Sequence, residues 1–149
     1  MVDQTSQKAF IAGSVFRVGT SMSAPTDNFR RHGLSVAVDP ETGLLGDAAI
    51  IPIDGRVNWH VVHPDSGVQI KGLVIPHWEK VKEDILNVAD FAYQTKQISY
   101  VGWDVVLTDQ GISLLEGNSL PGVSLHQVHH PLLADSQVRK FYQDFDVVR

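Results

Sequence analysis

Two acids and an amide, Asp104, Glu116 and Asn118, stand where a hairpin would gather three oxygen ligands. The stretch reads Gly102-Trp103-Asp104-Val105-Val106-Leu107-Thr108-Asp109-Gln110-Gly111-Ile112-Ser113-Leu114-Leu115-Glu116-Gly117-Asn118. Two β-prone runs flank Asp109-Gln110-Gly111, and a three-residue loop ending in Gly is a common hairpin connection because Gly accepts the left-handed conformation. Closed in that way, Thr108 faces Ile112, Val106 faces Leu114 and Asp104 faces Glu116. Asn118 lies two residues beyond Glu116 and so points to the same face. Directly opposed Cβ atoms are roughly 4.5–5.5 Å apart, and like charges so placed repel. A hard divalent cation reverses that sign, and carboxylates with an amide oxygen suit magnesium or manganese. The competing reading is a pair of solvated acids on an exposed hairpin, the commoner fate of a carboxylate. Against it, the surrounding Val and Leu residues leave neither face clearly polar.

Other side chains invite chemistry less directly. Arg17 sits inside an apolar strand pattern, where a charge needs an anionic partner. Its planar fork matches phosphate oxygens; equally, it can pair with an internal Asp or Glu or point out from an edge strand. Asn28, in the loop Asp27-Asn28-Phe29, either hydrogen-bonds a ligand or shapes its own turn as Asx motifs do. Gly33 permits close backbone approach. His126, His129 and His130 suggest zinc, but structural zinc wants a closed four-ligand set, so a substrate-facing or surface role is expected instead. Lys71 reads as a solvated surface cation. No Gly-x-x-x-x-Gly-Lys-[Ser/Thr] loop, Gly-x-Gly-x-x-Gly fingerprint or Gly-x-Ser-x-Gly elbow is present.

The chain has 149 residues, 43% hydrophobic and 19% charged, which suits one globular domain with a real core and excludes a disordered tail. A net charge of −5 without a Lys/Arg run argues against nucleic acid as a partner. The absence of cysteine removes disulfides, thiolate zinc sites and thiol nucleophiles. The polar N-terminus lacks the shape of a signal peptide, and no apolar stretch approaches the ~20 residues of a membrane span. A cytoplasmic location away from membranes is expected.

To position these residues, the pattern predicts strands within Ala9–Thr20, Leu34–Val38, Ala48–Ile53, Val57–Val62 and Val68–Val74. Turns fall at Asp39-Pro40-Glu41-Thr42-Gly43, Asp54-Gly55 and His63-Pro64-Asp65-Ser66-Gly67. Pro76 opens a helix whose Trp78, Val81, Ile85, Val88, Ala89 and Ala92 make one apolar stripe. The hairpin follows, then a loop from Ser119 to Pro131, then a helix over Ala134–Phe145 that buries Val138, Phe141, Tyr142 and Phe145. The order predicts an α+β fold: a mostly antiparallel sheet with helices packed on one face, in a single domain, 1–149.

Taken together, several stretches resemble the sugar-transfer-associated ATP-grasp family, which is related to α-L-glutamate ligases. They are Phe16-Arg17-Val18-Gly19-Thr20, Asp27-Asn28-Phe29, Val38-Asp39-Pro40-Glu41-Thr42-Gly43, His63-Pro64-Asp65-Ser66-Gly67, Ile75-Pro76-His77-Trp78, Gly102-Trp103-Asp104 and Leu115-Glu116-Gly117-Asn118. The resemblance implies that Asp104, Glu116 and Asn118 bind Mg2+ (or Mn2+) bridging the phosphates of ATP. It implies Arg17 as a catalytic and cofactor-binding cation and Asn28 as a second cofactor-binding residue. It further implies a ligase that activates a small-molecule carboxylate as an acyl phosphate for attack by an amine, linked to polysaccharide or sugar-transfer metabolism. Leu120 stands where some relatives carry a cation. Few residues precede Arg17, so the resemblance implies the C-terminal lobe of an ATP-grasp fold with its N-terminal lobe absent. The apolar edge near Phe10 to Phe16 is expected to pair with that missing lobe or with another copy of the chain. The C-terminal lobe is not expected to turn over alone. The alternative is a non-catalytic ATP-grasp-like domain that binds a protein or saccharide partner.

Overall fold

A computed structural model of the chain describes residues 1–51, 55–109 and 111–149. Its strands are β1 (Val15–Val18), β2 (Leu34–Val38), β3 (Leu45–Ile50), β4 (Asn58–His60), β5 (Val101–Thr108) and β6 (Gly111–Ser119). The helices are α1 (Trp78–Lys96), α2 (Ser124–Gln127) and α3 (Ser136–Asp144), and short 3-10 turns lie at Phe29–Arg31, between β1 and β2, and at Leu132–Ala134, between α2 and α3. All pairings are antiparallel, so the fold is α+β as expected, with the strands divided between a four-stranded sheet and a hairpin. The chain groups into two compact units, Met1–Ala12 with His77–Gly122 and Leu132–Arg149, and Gly13–Pro76 with Val123–Pro131.

The second of these units holds the sheet β1-β2-β3-β4. Leu34, Val36, Ala48 and Ala49 are fully buried, because β2 and β3 are its central strands. The strand expected over Leu34–Val38 forms with those bounds. The Asp39–Gly43 turn closes as expected, with Asp39 N–H donating to Leu44 O and the Asp39 carboxylate accepting from Thr42 N at 2.8 Å. Three expected strands shrink, Val57–Val62 to Asn58–His60 among them. Of Ala9–Thr20 only Val15–Val18 is a strand, and Val68–Val74 supplies isolated bridges, Gln69 to Val62 and Val74 to Leu44. Ile53 and Asp54, placed at a strand end and a turn by the sequence, lie outside the described residues.

In the other unit, α1 starts at Trp78, two residues past Pro76, and buries Trp78, Val81 and Tyr93. Ile85, Val88, Ala89 and Ala92 are half-buried. The helix stops where Gln97 turns left-handed and its N–H reaches Tyr93 O at 2.8 Å. Helix α3 is capped by Asp135, whose carboxylate accepts from Gln137 N and Val138 N. Val138 and Phe141 are buried and Tyr142 half-buried, but Phe145 is 47% exposed. The helix ends at Asp144, so Phe145 falls off the stripe that was to bury it, and its ring rests 4.9 Å from that of Phe141. The expected Ser119–Pro131 loop contains the short α2.

Candidate functional site

The hairpin β5–β6 opposes Asp104 with Glu116, as expected, but by a different route. Thr108 pairs with Gly111, so the connection is two residues long rather than three, and its Gln110 lies outside the described residues. Consequently Val106 faces Ser113 and Leu107 faces Ile112, one residue out of the expected register. A bulge corrects the slip: Val105 pairs with Leu114 and Asp104 with Glu116, leaving Leu115 as the extra residue.

The bulge solves a parity problem. Ile112, Leu114, Glu116 and Asn118 all have even numbers, so an unbroken strand would put two apolar residues on the face of the acids. With Leu115 inserted, Trp103, Val105, Leu107, Ile112 and Leu114 share one face, and Asp104, Val106, Thr108, Ser113, Glu116 and Asn118 share the other. The faces that were ambiguous in the sequence are sorted into apolar and polar. On the polar face, the Asn118 amide donates to Glu116 Oε1 at 3.0 Å, which confirms that the two side chains converge.

Glycines brace both ends of this arrangement. A Cβ at Gly117 would lie 2.5 Å from Cζ3 of Trp103, whose ring crosses the strand there. A Cβ at Gly102, opposite Asn118, would lie 2.5 Å from Cβ of Pro121. Leu120 beside them is 84% exposed with φ 61.

The donor set of two carboxylates and an amide oxygen on one open face fits a hard cation, with water and phosphate oxygens completing the shell. Among the described residues no group of three or more His, Asp or Glu is placed to hold a metal. Any ion here therefore depends on ligands beyond the two acids.

In the sheet unit, Arg17 donates from Nη2 to Asp27 Oδ1 at 2.8 Å. The anionic partner required by its strand position is thus Asp27, the neighbour of Asn28. Asn28 does shape its own turn: its Oδ1 accepts from Arg30 N at 2.9 Å and caps the 3-10 turn. Gly33 is needed because a Cβ there would sit 2.2 Å from Asp27 O. The close approach is to the loop itself.

Arg17, Ser35, Ala49 and Trp59 are register partners and share a sheet face. His129 joins that face. Ser35 gives its proton to Leu125 O at 2.7 Å, so the 3.0 Å contact with His129 Nε2 has the imidazole as donor. His129 also lies edge-on to Trp59, 5.5 Å between centroids. Burial lowers the pKa of His129, and pushes that of His126 down to about 4, helped by His130 and His129. His126 Nδ1 is buried without a hydrogen-bond partner. The His129 ring is a packing element of the sheet face. Lys71 pairs with Asp47 at 3.0 Å on the surface, an interaction of little energetic weight.

A family model described as sugar-transfer associated ATP-grasp matches residues 1–140. The chain belongs to this family. Membership makes it an ATP-grasp domain of the ATP-dependent ligase type, in a family that generally binds ATP and Mg2+. No curated protein and no solved structure matches it. Among the described residues no helix is long and apolar enough to cross a membrane.

What sequence reasoning missed in this ATP-grasp domain is mainly the bulge and the partners of the loop after β1. The adjacency of Asp27 to Asn28 was a usable signal for the Arg17 partner. The even numbering of Ile112, Leu114, Glu116 and Asn118 was a usable signal for the bulge.

Proposed function

We propose that this chain is the metal- and phosphate-binding part of an ATP-dependent carboxylate ligase acting in sugar-transfer metabolism. The observation that carries the reading is the Leu115 bulge, which turns Asp104, Glu116 and Asn118 together onto an open polar face. Asp104 and Glu116 would hold magnesium or manganese through carboxylate oxygens, with Asn118 contributing its amide oxygen. When bound, the ion neutralises charge on the phosphates of ATP. Arg17, oriented by Asp27, offers a charged fork to a phosphate. Asn28 anchors the loop that carries Asp27, and its remaining amide donors suit a phosphate oxygen.

In the proposed reaction a substrate carboxylate oxygen takes the terminal phosphoryl group of ATP, releasing ADP. An amine then attacks the acyl carbon, phosphate leaves, and the amine gives up a proton. Little covalent help from protein is required; positioning and charge neutralisation dominate. The chain, 1–149 acting as one C-terminal ATP-grasp part, is proposed to work with a second lobe that clamps the nucleotide.

The test is calorimetric titration of magnesium or manganese, with and without ATP, into wild type, Asp104→Asn and Glu116→Gln. Each substitution is expected to weaken metal-dependent binding roughly tenfold or more, at least the scale of an outer-shell change, with the melting curve retained. Equal affinity in all three proteins would overturn the reading.

A further inference from the structure

The turn His63-Pro64-Asp65-Ser66-Gly67 has no part in the proposed chemistry, yet its side chains reach 44 residues back along the chain. His63 Nε2 lies 2.8 Å from Gly19 O, and a carbonyl can only accept, so Nε2 carries a proton. His63 Nδ1 accepts from the N–H groups of Asp65 and Ser66, both at 3.3 Å, so the ring bridges its own turn and the Gly19 carbonyl. Asp65 completes the grip: Oδ2 accepts from Ser21 N at 2.7 Å and Oδ1 from Ser21 Oγ at 2.8 Å. Those two bonds hold its carboxyl below the usual carboxylate range.

The gripped residues, Gly19 and Ser21, directly follow β1, which bears Arg17. The segment then runs on through an internal brace. Thr20 Oγ1 donates to His32 O at 2.7 Å, Thr20 N to Ser23 Oγ at 2.8 Å, and Ser23 Oγ to Thr26 O at 2.7 Å. It delivers Asp27 to Arg17. Two anchors therefore hold the start of a loop whose end sets the guanidinium.

We propose that His63 and Asp65 are positioning residues that clamp the loop after β1 and so fix the Arg17–Asp27 pair for phosphate binding. This rests on reading Arg17 as a phosphate contact. The bland alternative is a turn that shapes only itself, and two substitutions of His63 separate the possibilities. Asparagine places its Oδ1 where Nδ1 accepts the Asp65 and Ser66 N–H groups, so it keeps the turn but cannot reach Gly19. Glutamine places its amide N–H near the position of Nε2, so it keeps the reach and loses the local acceptor.

The full chain is compared as wild type, His63→Asn, His63→Gln and the mild surface variant Ser21→Ala. Amide exchange is followed by mass spectrometry over residues 19–28, and MgATP affinity by calorimetry. The clamp predicts exchange faster by roughly fivefold or more in His63→Asn, the scale of one lost hydrogen bond, with recovery in His63→Gln and a smaller increase in Ser21→Ala. MgATP affinity should fall in the same order. The opposite ranking, glutamine worse than asparagine, would overturn the proposal, as would unchanged exchange in His63→Asn. Faster exchange with unchanged MgATP affinity would also overturn the positioning role. If wild type binds no MgATP, the ligase reading and the phosphate-binding role proposed here both fail, and the exchange ranking shows whether the loop is clamped at all.

Discussion

Replacing Gly117 by alanine is the sharpest test of how the hairpin is built. At an ordinary strand position, Gly→Ala at compatible φ/ψ stabilises a protein by about 0.4–1 kcal/mol. Here the sign should reverse. The new Cβ would sit 2.5, 2.9 and 3.2 Å from Cζ3, Cε3 and Cη2 of Trp103, whereas carbon atoms rest at roughly 3.5–4.0 Å. The indole must therefore move by about 1 Å, or the strands must part. Overpacking of this kind costs about 1–3 kcal/mol. A chain of this size loses roughly 2–4 °C in Tm per kcal/mol, so a drop of several degrees is expected. The control is Trp103→Leu, which removes the ring; in that background Gly117→Ala should cost little, and the difference is the coupling energy of the pair. Thermal and urea denaturation of the four proteins measure it. Because Glu116 and Asn118 flank Gly117, metal-dependent binding should weaken in Gly117→Ala although no ligand is removed. A stabilised Gly117→Ala, or an equal cost in both backgrounds, would refute the packing argument.

Other outcomes follow from the same geometry. Gly33→Ala should destabilise by about 2 kcal/mol or more, since the obstacle, Asp27 O at 2.2 Å, is backbone rather than a movable side-chain tip; urea denaturation checks it. Asp135→Ala removes the acceptor for two N–H groups of α3 and should cost about 1 kcal/mol in the same assay. His126, neutral in the folded protein because burial holds its pKa at about 4, takes up a proton on unfolding near its ordinary value. The unfolded state then binds more protons between those limits, so stability is complete above about pH 6.5 and falls as pH drops toward 4. The contribution is on the order of 3 kcal/mol. His126→Gln should flatten the pH dependence of urea stability over that window, and a wild-type slope in the variant would refute it.

Much of this ATP-grasp domain is legible locally. Leu34–Val38, the Asp39–Gly43 turn, the apolar stripe of α1 and the Asp135 cap with Val138 and Phe141 all arise from neighbours a few residues apart. Their periods and turn chemistry are written in the chain. The opposition of Asp104 and Glu116 was likewise foreseeable from a hairpin, since both strands belong to one short segment. Phe145 shows the limit of such reading, because a helix that ends one residue earlier changes which way the next side chain points.

The sequence alone determined that Asp104, Glu116 and Asn118 would fall on one short hairpin segment, and that its two strands would bring the two acids opposite each other. Tertiary structure decided how. The Leu115 bulge sorts the apolar and polar side chains of β5 and β6 onto opposite faces, and the need for Gly117 depends on where the Trp103 ring lies across the opposite strand. The grip of His63 and Asp65 on Gly19 and Ser21 joins residues far apart in sequence, and local propensity carries no information about such partners. Periodicity expresses the preferences of neighbouring residues, whereas these contacts exist only once distant backbone atoms have been brought within hydrogen-bonding reach.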